Sequence, residues 1–127
     1  MPAPLFLLPL LLAQAPVVVT GTATAHPEGD RVDVAYTELA AGQTRAAIAR
    51  IEGNRELSQD DPARLINLGT AYARLGDAAR ARSLYLAAVQ SGDRYDLELA
   101  TGQWLDSRRA ARLALELLGT GSTLALK

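Results

Sequence analysis

The sequence predicts an all-α fold: a short solenoid of two helical hairpins, with a small β-hairpin insertion and a C-terminal capping helix. Three observations carry that prediction. Pro62–Ala88 sets large and small apolar residues at helical spacing on both sides of a Gly76-Asp77 turn. The same features stand 34 residues earlier, where Gly42 precedes Gly76 and Ala47 precedes Ala81. Arg94–Leu99 then breaks the pattern, alternating apolar with charged residues at the two-residue period of a strand.

The chain opens on an apolar run, Leu5–Leu12, long enough for the core of a secretory signal and too short to span a bilayer. Ala13-Gln14-Ala15 adds the small-x-small spacing of a cleavage site. Pro16 suits that junction poorly, and no Lys or Arg precedes the run. Residues 1–15 are expected to be a signal peptide and the protein to be periplasmic or otherwise exported, with a cytoplasmic location as the alternative. No cysteine follows, so a lipidated anchor is not expected. Residues 16–29, PVVVTGTATAHPEG, have no helical period and carry Pro, Thr and Gly, which reads as a linker. Val17–Val19 has the composition of an edge strand, but no partner for it precedes Arg94.

The helical domain is expected over residues 30–118. Its first unit has helices near Asp30–Ala41 and Thr44–Glu56, and Val34, Ala35, Ala47 and Ile51 stand 34 residues before Leu68, Gly69, Ala81 and Tyr85. Glu38 occupies the place that Tyr72 holds in the second unit, with Tyr36 the nearest aromatic to fill its volume. In the second unit Leu65, Leu68 and Tyr72 recur at three- and four-residue steps and share a face. Gly69 lies on that face without a side chain, so a neighbouring helix can come close; Ala81 does the same on the second helix, beside Tyr85, Ala88 and Val89. Asp61 before Pro62 is a helix start, Gly76 a stop, Asp77 the next cap and Gly92 the close.

The joint placement of Leu65, Leu68, Gly69, Tyr72, Gly76, Ala81 and Tyr85 resembles a tetratricopeptide (TPR) repeat, whose period is about 34 residues. Leu65 stands where that family prefers tryptophan, and Asp93 where it places a closing proline. The chain is similar to small exported bacterial TPR proteins. That resemblance implies a non-enzymatic adaptor, whose first helices line a groove for a protein or peptide partner. It places Ala63, Ile66, Asn67, Thr70 and Arg74 in the groove, Asn67 at the position of an asparagine that grips backbone or a terminal carboxylate; the alternative for Asn67 is an ordinary polar residue of the surface, the reading favoured here. Val32–Tyr36 of the first unit offers no Lys or Arg to complete a carboxylate clamp. The alternative is a structural subunit that self-stacks or completes the solenoid of a larger assembly.

Beyond the second unit, Arg94–Leu99 and Gln103–Leu105 are expected to pair about a Thr101-Gly102 turn; a helix over Tyr95–Trp104 is the alternative. Asp106 or Ser107 then caps a last helix, Arg108–Leu118, ended by Gly119, and residues 119–127 read as a flexible tail. Trp104, the sole tryptophan, is either an interface anchor or the residue that seals the last helix on the hairpins. Arg108 and Arg112, with Arg109, form a cationic outer face and a candidate interface.

Thirteen Lys and Arg against 14 Asp and Glu leave a net charge of −1, with no basic excess to attract nucleic acid. There is no cysteine and one histidine, His26, in the linker. A zinc site of ordinary type, a disulfide and a thiol nucleophile are therefore not expected. No Gly-x-Ser-x-Gly elbow or phosphate-binding loop is present. No catalytic residue, metal ligand or cofactor is expected.

Overall fold

The computed structural model describes residues 17–22 and 34–125. Its centre is a pair of helices, which we number by chain order, α3 (Pro62–Arg74) and α4 (Ala78–Gln90). Both begin as their sequences require. Asp61 Oδ1 accepts from the amide of Arg64 at 3.0 Å, and Asp77 Oδ1 from that of Arg80 at 3.0 Å. Between them Gly76 turns the chain at φ +85°, a conformation costly to any residue with a Cβ. The helices meet where Gly69 faces Tyr85: a Cβ at position 69 would lie 2.6 Å from Cε1 of that ring. The close approach expected at this glycine is present.

A shorter hairpin precedes it, α1 (Tyr36–Ala40) and α2 (Thr44–Gly53), turning at Gly42 with φ +75°. Leu39, Ala47 and Ile51 are buried with Leu68 and Ala71 of α3. Glu38 turns to Arg50, 2.6 Å away, and Tyr36 is exposed, so it does not fill the volume assigned to it. Helix α2 stops three residues short of Glu56. The buried Arg64 explains the stop: its guanidinium donates to the carbonyls of Ile51 at 2.9 Å and Asn54 at 3.0 Å. The start of the first expected helix, residues 30–33, lies outside the described residues, as do residues 1–15, expected to be a signal peptide, and His26.

After α4 the chain forms the expected hairpin, β2 (Asp96–Leu99) and β3 (Trp104–Asp106), around Gly102 at φ +85°. Leu97 pairs with Leu105 and Glu98 with Trp104. Helix α5 (Ser107–Ala125) follows, capped by Asp106 Oδ1, which accepts from the amides of Arg108 and Arg109 at 3.0 and 3.3 Å. It does not end at Gly119. A glycine stops a helix by taking a left-handed turn, and Gly119 takes none, so the helix continues through Ala125. The expected tail is helical as far as it is described.

The largest departure is at the other end. Residues 17–19 of the expected linker are buried in the core, and Val19–Thr22 forms β1. It pairs antiparallel with β2, Val19 opposite Leu99 and Thr22 opposite Leu97, with a bulge between Val19 and Gly21. The sheet order is β1-β2-β3. The partner of the valine run thus lies after Arg94. Val17, Val18 and Val19 are 6%, 6% and 0% exposed. A strand buried on both faces reads as a continuous apolar run rather than an alternation. The molecule is mostly helical with a small three-stranded sheet. No helix among the described residues is long and apolar enough to cross a membrane.

Candidate functional site

Helix α3 is unusual in carrying, besides the buried Arg64, two polar side chains with no exposure at all. Asn67 and Thr70 are wholly buried, at positions flanked by Ala63 and Ile66, also wholly buried. A buried amide is tolerated only when its hydrogen bonds are made. Here they are made to backbone. Asn67 Oδ1 accepts from the amide of Val19 at 2.7 Å, while Nδ2 donates to the carbonyls of Val19 and Val34, both at 2.9 Å. One turn on, the Thr70 hydroxyl donates to the carbonyl of Val17 at 2.5 Å. Its single proton is then committed, so the Tyr85 hydroxyl, 2.8 Å away, donates to Thr70. Burial pushes the Tyr85 phenol up to about 12, which keeps that donor protonated.

The opposite edge of the same segment faces the sheet. The Val18 carbonyl accepts from the amide of Ala100 at 2.8 Å, and the Thr20 hydroxyl donates to the carbonyl of Glu98 at 3.2 Å. Side chains of α3 therefore supply on one side what a neighbouring strand supplies on the other. The valine side chains divide between two apolar clusters. Val17 and Val19 pack with Ala63, Ile66, Tyr85 and Leu97; Val18 packs with Leu39, Ile51 and Leu68. Position 67 holds main chain, and positions 63, 66 and 68 hold side chains.

Of the five groove residues expected from sequence, Ala63, Ile66, Asn67 and Thr70 come together along one cleft. That cleft is filled by the chain's own residues 17–19. Arg74 does not join them. It is exposed and reaches the end of α1, donating to the Leu39 carbonyl at 2.7 Å. The interface candidates also separate. Trp104 lies on the edge strand β3, 51% exposed, and so does not seal α5. Arg112 is exposed on α5 beside exposed Arg109, but Arg108 is partly buried and donates to the Ser91 carbonyl at 3.4 Å. The expected three-arginine face is a two-arginine face.

Sequence reasoning missed the occupant, Val17–Thr20, and the hydroxyl of Tyr85. A signal existed for the first. Two polar residues among small apolar ones on a core-facing helix surface require partners, and three consecutive valines require burial on both faces. A second polar cluster, at the start of α3, holds the hairpin in place: Tyr95 bonds Asp61 Oδ2 through its hydroxyl and Ser107 through its main chain. Burial and the Asp61 carboxylate push the Tyr95 phenol well above the usual tyrosine range. No family model matches the chain, and neither does any curated protein or solved structure.

Proposed function

We propose that this chain is a non-enzymatic protein-binding module of TPR type, exported from the cytoplasm, whose α3 groove holds an extended peptide by its main chain. The observation that carries the reading is the Asn67 amide, which takes both the N–H and the C=O of one residue of an extended segment. Such a grip needs backbone alone, and the valine contacts around it add side-chain selection. The repeat reading is supported by Gly42 and Gly76 at equivalent left-handed turns and by buried Ala47, Ala81, Ile51 and Tyr85 at equivalent sites. The apolar leader, Leu5–Leu12, supports export.

The test is in-cell crosslinking of the tagged full-length protein, with crosslinked positions mapped by mass spectrometry. A partner joined to residues 63–74 or 96–100 is the expected result. Capture of the chain alone, sedimenting as an oligomer, would replace the adaptor with a self-stacking structural subunit.

A further inference from the structure

The segment that fills the groove is remote in sequence from the residues that grip it. Val19 and Asn67 are 48 positions apart, and Val17 and Thr70 are 53 apart. Its hydrogen bonds on the α3 side fall on main-chain atoms, the Val17 carbonyl and the Val19 amide and carbonyl. Any extended chain can offer these, provided the residue at position 19 keeps its N–H. What distinguishes one chain from another is the side-chain set: three consecutive positions are buried, on both faces of the strand. β-Branched aliphatic residues suit this demand, since they favour extended backbone and carry no polar atom into the core. Among the described elements β1 also has the longest connection to its successor, residues 23–35, whereas the hairpins close through turns at Gly42, Gly76 and Gly102.

We propose that residues 17–20 are an internal ligand of the α3 groove, and that the partner displaces them with its own extended segment of three consecutive β-branched aliphatic residues. This rests on the binding-module reading above and names the chemistry of its partner. The segment must run antiparallel to β2, present a carbonyl to Thr70 and an N–H to Asn67, and carry no proline at the Val19 position. A charged residue at any of the three buried positions excludes it, because these positions are 6%, 6% and 0% exposed and a buried charge is costly.

The experiment uses the full-length chain bearing V18D and V19D, which expels the internal strand, and a fluorescent peptide of residues 16–22, PVVVTGT. The parent chain is expected to take up the peptide only at concentrations high enough to compete with its own tethered strand. The double variant is expected to bind it saturably, and to bind a peptide N-methylated at the Val19 nitrogen about tenfold more weakly, one buried hydrogen bond being lost. If the variant is unfolded alone, recovery of its helical circular dichroism on adding peptide supports the proposal equally. A folded variant that ignores the peptide overturns it, and so does an unfolded variant that millimolar peptide does not restore. Pairing of the variant with a tagged parent chain would give the strand to a second copy and overturn a separate partner. Peptide uptake without any partner captured in cells removes the adaptor and keeps the strand receptor. Capture at the groove without peptide uptake does the reverse.

Discussion

Asn67 satisfies three main-chain groups with one side chain, and its removal strands all three. Asn67→Leu keeps the volume but leaves the Val19 amide and the carbonyls of Val19 and Val34 without this partner. A loss of about 2–4 kcal/mol is expected, one to three per unsatisfied buried group less what water recovers, read as a lower urea midpoint. Gly69 poses the opposite problem, too little room. A methyl there would lie 2.6 and 2.8 Å from two carbons of the Tyr85 ring, which is buried and tied by its hydroxyl to Thr70. Gly69→Ala is expected to cost about 1–3 kcal/mol through overpacking, despite the better helix propensity of alanine. A neutral or stabilising result in thermal unfolding would mean that the ring moves freely.

Glycines separate the elements by sign as well as by size. Gly76 sits at φ +85° in the α3–α4 turn, so Gly76→Ala should destabilise by about 1 kcal/mol. Gly119 lies inside α5, without positive φ and with nothing within 4 Å of where a Cβ would stand. Gly119→Ala should stabilise by up to about 1 kcal/mol, whereas a helix-ending glycine would give the opposite sign in the same measurement. This helix also shows where local signals mislead, since a glycine after eleven helical residues reads as a stop. The α3–α4 hairpin was legible because its caps, turn and packing all act within a few residues of sequence. The β2–β3 hairpin was legible for the same reason. Strand β1 was not: its partner β2 lies nearly eighty residues away, and composition alone made it a linker. The site shared that fate. Asn67 and Thr70 were identified as groove residues, but only the fold shows that the groove's contents come from the same chain.

At the scale of the molecule, two tyrosines tie distant parts together and set its response to alkali. Tyr85 joins α4 to Thr70, and Tyr95 joins the hairpin to Asp61. Both phenols are raised above the ordinary value of 10.0, chiefly by burial. A raised folded-state value means that the stability is fully present below pH about 10 and is lost as pH climbs toward the folded values. Stability should therefore fall above pH 10, and the fall should be shallower in the Tyr85→Phe/Tyr95→Phe double variant by urea titration at stepped pH. Acid acts elsewhere. The Arg94 guanidinium, bonded to Asp106 at 2.7 Å, holds that carboxyl below its usual range. Its contribution is present above the unfolded value and is lost as pH falls through the folded one, so the start of α5 should fray at low pH. Asp106→Asn, measured by amide exchange across α5, should remove that pH dependence.

The pairing of β1 with β2 also orders events in time. A ribosome releases residues 17–22 long before Ala100 exists, so β1 at that moment has neither its sheet neighbour nor a finished groove to enter. Until residue 100 has emerged, three adjacent valines of high β-propensity travel uncovered, as an invitation to pair with any open strand edge nearby. The earliest-made of the described strands is thus among the last to be placed, and nascent chains stalled short of residue 100 should aggregate where longer ones do not.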